Sequence, residues 1–286
     1  MNKELPRSIT EEEIETYARD GVVCIRGLFD RDWVESLLAA WDRVVADPSA
    51  YGLITAAKER GIDEQSGAVS IKHLCRAVPE FKAYMQESPA AEIVGRLMGA
   101  RKVGFFYDQI FAKEPRSDTK TVWHHDAPGW PVAGNQLPSF WMPLTPISRE
   151  NSLECLGGMH TIEELYWPPT RDSMRMQQPK DREVCPDFDA RRDDPSLTFL
   201  WWEMEPGDAL LIHSRSLHYS AGNLHPTQRR VALSTRWYGD DVFWSSRPEC
   251  VPGPPGVDFR EMPEGERPAP PDFPIVWSDP DFFGAA

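Results

Sequence analysis

The strongest constraint on the fold is a change of pattern near residue 101. Beyond it, six short runs of β-forming residues are separated by Pro, Gly and Asn, with no amphipathic helix between them. A parallel sheet needs such helices as crossovers, so the pattern predicts an antiparallel sandwich or barrel. The runs are KVGFFYDQIFAK, SFWMPLTPI, SLECLGG, LTFLWWEM, DALLIH and RRVALSTRWYG.

The chain before this change is mainly helical in pattern. Thr10 and Glu13 form a capping-box sequence ahead of EEIETYARDG, and Asp30 is placed to cap a second helix. A short strand, VVCIRG, lies between these two helices. We therefore predict a mainly β domain with a helical buttress.

The whole chain is expected to form one domain. Its length allows one substantial core, and neither a repeat nor a second periodic pattern divides it. The expected parts are a mostly helical 1–100, a β core at 101–245 with a loop insertion at 161–197, and an irregular Pro-rich tail at 246–286.

Composition excludes several classes of function. With 31 basic and 45 acidic residues, the net charge of −14 opposes a general nucleic-acid or anionic-membrane surface. No apolar run approaches the roughly 18 residues of a membrane span, the first residues lack a secretory pattern, and the five Cys form no CxxC pair. We expect a cytoplasmic protein, monomeric or homodimeric, that acts on a small molecule and binds neither nucleic acid nor membrane.

The chemistry-bearing pattern is the H-x-D of Trp123-His124-His125-Asp126. In an extended chain His124 and Asp126 point to the same side and His125 points away. An imidazole and a carboxylate on one side are two members of a 2-His-1-carboxylate triad for Fe(II). The third ligand must come from a distant segment, and the residues alone leave several candidates open: His160, His213, His218 and His225, with His73 less favoured.

The run RRVALSTRW contains an arginine suited to binding a carboxylate. In a strand, the residues that share a face with Arg229 are more apolar than those that share a face with Arg230. On that basis Arg229 is predicted to face the interior. A buried arginine needs a partner charge, and a bound carboxylate would supply it.

Taken together, these motifs resemble the phytanoyl-CoA dioxygenase family of Fe(II)/2-oxoglutarate oxygenases. The resemblance rests on the order of H-x-D at His124, H-x-S at His218 and Ser220, and Arg229 eleven residues after His218. The segments ARDGVVCIRGLFD, DQIFAKEP and ENSLECLGGMH are also similar to the family, so the likeness spans roughly residues 10 to 240.

The resemblance implies a double-stranded β-helix, a jelly-roll or cupin-like core, with iron at one mouth. It implies that the catalytic metal ligands are His124, Asp126 and His218. The implied 2-oxoglutarate residues are Arg229 and Ser220 for its distal carboxylate, Gln109 and Trp141 along its pocket, and Lys72.

The implied reaction is oxidation, expected to be a hydroxylation, of a C–H bond in a small or medium organic metabolite. It uses Fe(II), 2-oxoglutarate and O2 and releases succinate and CO2. The alternatives are a cupin-type metal isomerase and a binding protein that does not use 2-oxoglutarate. Aromatic surplus and the 161–197 insertion suggest a set of substrate-binding residues: Tyr107, His125, Trp130, Tyr166, Arg171, Met174 and Trp202.

Overall fold

A computed structural model describes residues 1–52, 67–169, 180–247, 250–251, 253–254 and 256–283. The predicted substrate residues Arg171 and Met174 lie outside these ranges. The helices are α1 Glu11–Asp20, α2 Arg31–Ala46, α3 Pro79–Glu87, α4 Ala90–Met98 and α5 Pro280–Phe283. The strands are β1 Val22–Ile25, β2 Ala68–Lys72, β3 Lys102–Lys113, β4 Thr121–His124, β5 Val132–Ala133, β6 Pro138–Pro143, β7 Leu153–Leu156, β8 Phe199–Trp201, β9 Ala209–His213, β10 His218–Ser220, β11 Arg230–Tyr238, β12 Phe243–Trp244 and β13 Ile275–Ser278.

Two antiparallel sheets form the core. The major sheet has the order β1-β9-β6-β11-β3-β13, with β2 also paired to β3, and the minor sheet has the order β4-β10-β7-β8. Trp141 and Ala232 of the major sheet pack in one apolar cluster with Leu153 and Cys155 of the minor sheet. This arrangement confirms the predicted mainly β, jelly-roll core with helical buttress.

Both faces of the major sheet are covered. On the face away from the minor sheet, Val231, Leu233 and Trp237 of β11 pack with Leu37 of α2 and Leu97 of α4. The opposite face of β11 therefore looks towards the minor sheet. The apolar face meets helices, and the more polar face lines the space between the sheets.

The predicted helix starts are present. The Thr10 side chain accepts a hydrogen bond from the Glu13 backbone N–H at 3.1 Å, and the Glu13 carboxylate accepts one from the Thr10 N–H at 2.9 Å. Asp30 accepts from the Trp33 N–H at 3.3 Å at the start of α2. These two caps satisfy backbone donors that the first helical turn leaves unpaired.

The Pro-rich tail, in which Phe273 is one of the predicted anchoring residues, contains a strand that the sequence pattern does not predict. β13 pairs with the start of β3, and Phe273, only 2% exposed, packs with Phe106 and Trp244. A high proline content indicates turns, but it does not show whether the residues between the turns pair with the free edge of another strand. The 12-residue β3 is long enough to pair with β13 near its start and with β2 near its end.

Among the described residues, no helix has the length and apolar character needed to cross a membrane.

Candidate active site

Three side chains from separate segments meet between the sheets. His124 ends β4, Asp126 lies in the turn after it, and His218 begins β10, directly opposite His124 in the strand pairing. One ligand atom from each lies within 4.8 Å of the others. Of the histidines left open by the sequence, His218 is the one that joins the H-x-D pair in this cluster.

Hydrogen bonds orient the three groups. Nδ1 of His124 lies 2.8 Å from the Val122 carbonyl oxygen, and Nδ1 of His218 lies 3.2 Å from that of Ser216. When Nδ1–H donates to these carbonyls, Nε2 of each ring keeps a free lone pair. Both Nε2 atoms face Oδ1 of Asp126, at 3.8 and 3.9 Å.

The other carboxylate oxygen of Asp126 is held by the major sheet, because Ser139 Oγ on β6 donates to Oδ2 at 2.7 Å. Two imidazole nitrogens and one carboxylate oxygen, each fixed by a neighbour, fit a divalent iron ion. Three protein ligands leave positions open for other molecules.

The electrostatic setting favours metal-binding forms of these groups. Burial acts to raise the pKa of Asp126, but His218, Arg236, His124 and the Ser139 hydroxyl together hold that pKa below its usual value. Burial, with a contribution from His124, lowers the pKa of His218 to about 4. A charged carboxylate and a neutral imidazole are the protonation states that coordinate a metal.

A second polar cluster surrounds Ser220, two residues beyond His218. Ser220 Oγ accepts hydrogen bonds from Arg230 Nη1 at 2.6 Å and from Lys113 Nζ at 3.2 Å, and Lys113 also donates to the Ala221 carbonyl at 2.7 Å. Both cationic side chains are buried, with exposures of 4% and 6%. Among the described residues, no carboxylate lies within ion-pair distance of either.

Burial has a clear effect on both groups. It lowers the pKa of Lys113 to about 6, with a smaller contribution from Arg230, and it lowers the pKa of Arg230 to about 10. Two buried donors of positive charge around one hydroxyl form a pocket suited to an anion.

The prediction that Arg229 faces the interior was wrong. Its guanidinium is a third exposed and forms an ion pair with Asp42 of α2 at 2.6 Å, and Arg230 is the arginine that points between the sheets. The prediction rests on the rule that the more apolar face of a strand faces the interior of the barrel. In this fold that face is covered by helices, so the more polar face, which carries Arg230, lines the site.

Of the other predicted co-substrate residues, Trp141 contacts Arg230, whereas Gln109 and Lys72 lie further along β3 from Lys113. The guanidinium carbon of Arg230 lies 5.3 Å from the centre of the Trp141 ring. Gln109 lies opposite Lys72 in the pairing of β3 with β2 and donates to Ser70 Oγ at 2.6 Å. The half-buried Lys72 extends over the ring of Tyr107, with Nζ 5.7 Å from the ring centre.

Two predicted substrate residues lie close to the metal cluster. His125 is buried, its Nδ1 is 2.6 Å from the Arg215 carbonyl oxygen, and its ring stacks on that of Tyr166. Burial lowers the pKa of His125 to about 4, so its ring is neutral near pH 7. His125 Nε2 is buried, with no partner in the described part of the chain.

The three remaining predicted substrate residues in the described ranges contact other parts of the core. Tyr107 lies on the inner face of β3 and accepts a hydrogen bond from Trp130 Nε1 at 2.9 Å. Trp130 packs with the tail cluster around Phe106. Trp202 is half-buried against the inter-sheet cluster that contains Trp141.

Sequence reasoning did not identify Lys113, Ser139 or Arg236 as site residues. Lys113 has the same strand parity as Gln109, so once Gln109 faces the pocket, alternation along β3 places Lys113 on the same side. Arg236 likewise has the parity of Arg230. Strand alternation in the sequence therefore groups these residues correctly, but hydrophobicity favours the other face as the inner one.

Comparison with known proteins gives matches at the level of family and of fold. A model of the family "Phytanoyl-CoA dioxygenase (PhyH)" matches residues 17–231. No curated protein matches the sequence.

Several solved structures have a similar fold. The 2-oxoglutarate-dependent carbocyclase SnoK from nogalamycin biosynthesis is 18% identical, with a TM-score of 0.72 over 97% of this chain and 100% of its own. The epimerase SnoN, in complex with Fe3+, α-ketoglutarate and nogalamycin RO, is 19% identical, with a TM-score of 0.71 over 93% and 98%. EctD from S. alaskensis, with 2-oxoglutarate and 5-hydroxyectoine, is 18% identical, with a TM-score of 0.68 over 94% and 88%.

Proposed function

The chain belongs to the phytanoyl-CoA dioxygenase family, and from this membership and the geometry of the site we propose that it is an Fe(II)/2-oxoglutarate-dependent oxygenase. Its proposed reaction is hydroxylation, or a related C–H oxidation, of a small or medium organic metabolite. A cytoplasmic location and a monomeric or homodimeric state remain predictions.

The observation that supports this proposal most directly is the pairing of two clusters. A His-Asp-His group with open metal positions lies next to a buried Arg230–Lys113 pair that has no carboxylate partner among the described residues. A metal isomerase or a binding protein would need the first cluster but not the second. A dicarboxylate that reaches from a metal to a cation pocket needs both.

In the proposed complex, His124, Asp126 and His218 hold the iron. When bound, iron with 2-oxoglutarate supplies the oxidising chemistry, in which O2 is consumed and the co-substrate is converted to succinate and CO2. Arg230, not Arg229, binds the distal carboxylate, with Lys113 and Ser220 beside it. Trp141 and Gln109 line the path between the clusters, with Lys72 on the adjacent strand.

Neighbouring groups also hold the three metal ligands in position. Ser139 fixes the Asp126 carboxylate, and the Val122 and Ser216 carbonyls fix the two imidazoles, so the ligand atoms are oriented before a metal binds. Two of the proteins with a similar fold are a carbocyclase and an epimerase. The fold therefore serves more than one outcome, and C–H hydroxylation is our proposal for this chain.

The proposal is tested by anaerobic titration with Fe(II) and then with 2-oxoglutarate. We expect a metal-to-ligand absorption band in the visible region when 2-oxoglutarate is added. Replacing Arg230 with Gln should weaken 2-oxoglutarate binding about ten- to one-hundred-fold, since it removes a charge-assisted hydrogen bond in a buried pocket.

The matched control is Arg229→Gln, which changes the adjacent arginine on the opposite face and should leave the band intact. Absence of the band in the wild-type protein would contradict the proposal and favour a metal isomerase or a binding protein. A band lost in Arg229→Gln and kept in Arg230→Gln would contradict our assignment of the anchor.

A further inference from the structure

A third cationic side chain, Arg236, points between the sheets near the metal end of β11. Its side chain is buried, with 4% exposure for the residue, and its Nη1 donates to the Ser234 carbonyl at 2.9 Å. Its Nε is buried with no hydrogen-bond partner. No carboxylate of the described residues lies within ion-pair distance of its guanidinium.

Aromatic rings hold the guanidinium in place. Its carbon lies 4.8 Å from the centre of the Tyr107 ring and 5.7 Å from that of Phe111. Tyr107 is itself fixed by the hydrogen bond from Trp130. Such stacking orients a guanidinium and stabilises its charge, but it leaves the N–H groups without acceptors.

The charge of Arg236 acts on two buried carboxyl groups, those of Asp126 and Asp108, but neither forms an ion pair with it. Asp126 accepts from Ser139 and faces both histidines, so in the proposed enzyme its charge is used by the metal. Asp108 lies on the opposite face of β3 from Tyr107, and its Oδ2 accepts a hydrogen bond from the Cys75 backbone N–H at 2.8 Å. Its Oδ1 is buried with no partner among the described residues, and burial raises the pKa of this carboxyl group to about 6, so its charged form is less favoured than that of an exposed aspartate. With Fe(II) bound, Arg236 would therefore face additional positive charge.

Arg236 belongs to a different part of the site from Arg230. The two residues are six positions apart on one strand, which separates their Cα atoms by about 20 Å. Arg230 bonds to Ser220, whereas Arg236 lies opposite Ser139, the residue that holds Asp126. One arginine serves the cation pocket and the other lies beside the metal ligands, where a substrate must present its reacting bond.

Resting on the proposed function, we propose that the substrate is a carboxylic acid whose carboxylate binds Arg236. The carboxylate would accept from the free N–H groups of the guanidinium and balance its charge. A carboxylate at this position would also lie near Lys72, whose Nζ is 5.7 Å from the centre of the same Tyr107 ring that Arg236 contacts. Held there, the acid would present a nearby C–H bond to the metal, so Arg236 determines both substrate class and position.

The first test is binding to the metal-free protein, by calorimetry with a series of monocarboxylic acids from acetate to phenylacetate and decanoate, each compared with its primary amide. We expect at least one acid to bind about ten- to one-hundred-fold more tightly than its amide, because a buried charge-assisted pair is lost in the amide. Arg236→Gln should remove this preference, and Arg236→Lys should keep part of it.

Arg230→Gln and Arg229→Gln are the matched controls. Arg230→Gln should weaken 2-oxoglutarate binding and leave the monocarboxylic acids bound, whereas Arg236→Gln should do the reverse. Arg229→Gln should change neither. We expect Arg236→Gln to bind 2-oxoglutarate with the affinity of the wild type, and this result would also show that the variant is folded.

The second test is succinate formation from the iron-loaded protein with the same acids and amides. Acids that bind through Arg236 should stimulate succinate release in the wild type and not in Arg236→Gln. The inference is overturned if acids and amides bind alike, or if Arg236→Gln weakens 2-oxoglutarate instead of the acids. If the wild type binds the acids through Arg236 but binds no 2-oxoglutarate, the proposed function fails and the carboxylate site stands.

Discussion

Ser220 accepts hydrogen bonds from two cationic side chains, Arg230 and Lys113, within a buried pocket. Without an anion beside them, the two buried charges destabilise the fold, because each loses hydration without gaining an opposite charge. The pKa of Lys113 is lowered for this reason, since burial disfavours the charged form of its amine. A bound carboxylate would reverse it.

This reversal predicts proton uptake when 2-oxoglutarate binds. Burial and Arg230 lower the Lys113 pKa to about 6, so at pH 7.5 the free protein holds mostly neutral lysine, and a carboxylate beside it raises the pKa again. We expect uptake of close to one proton, and affinity that falls as the pH rises above 6. Calorimetry in two buffers of different ionisation enthalpy measures the uptake.

Lys113→Met should abolish the proton uptake and flatten the pH dependence. Lys102→Met, an exposed lysine at the other end of the same strand, serves as the control and should behave like the wild type. Uptake that persists in Lys113→Met would show that another group titrates.

At the scale of elements, β11 has two buried faces of different character. Val231 and Leu233 meet the helices, whereas Arg230 and Arg236 meet the minor sheet. A hydrophobic pattern identifies which residues share a face, because strand alternation has a fixed period of two. It does not identify which buried face contains a polar site.

The tail is a second case in which an element depends on its partner. Phe273 lies in a cluster with Phe106 and Trp244, and Tyr238 Oη donates to the Phe273 carbonyl at 2.6 Å. The tail is therefore part of the core of the fold at this point.

Phe273→Ala should lower the free energy of unfolding by about 3–5 kcal/mol, since it leaves a cavity in a packed aromatic cluster. Urea unfolding followed by tryptophan fluorescence measures the change. Phe282→Ala, in the same tail but 52% exposed, should cost less than about 0.5 kcal/mol. Equal effects of the two substitutions would argue against a structural role for the Phe273 cluster.

At the scale of the whole molecule, the candidate metal centre links the two sheets. His124 and His218 come from the minor sheet, and Asp126 is tied through Ser139 to the major sheet. An ion that binds all three groups would bind the folded chain and not the unfolded one.

A divalent metal should therefore raise the melting temperature. With Mn(II) as a stand-in for iron at about one hundred times its dissociation constant, the stabilisation should reach about 2.7 kcal/mol. His218→Ala should remove most of this gain in a thermal-unfolding assay. His225→Ala, on an exposed loop, should retain it, and an equal loss in both variants would exclude His218 as a specific ligand.

The sequence by itself determined the class of the core, the helix starts at Thr10 and Asp30, and the H-x-D pair, because these depend on alternation, capping and short spacing. The resemblance to a family indicated His218 and Ser220. Each of these features is carried by residues close in the chain or by a spacing that the family shares.

Tertiary structure decided the rest. It placed Arg230 rather than Arg229 in the pocket, brought Lys113 to Ser220, set Arg236 opposite Ser139 and paired the tail with β3. These outcomes depend on which layer covers each face of the major sheet and on which strand edge is left unpaired. The physical reason is that burial alone does not distinguish a face packed against helices from a face that lines a polar site, and only the assembled layers do.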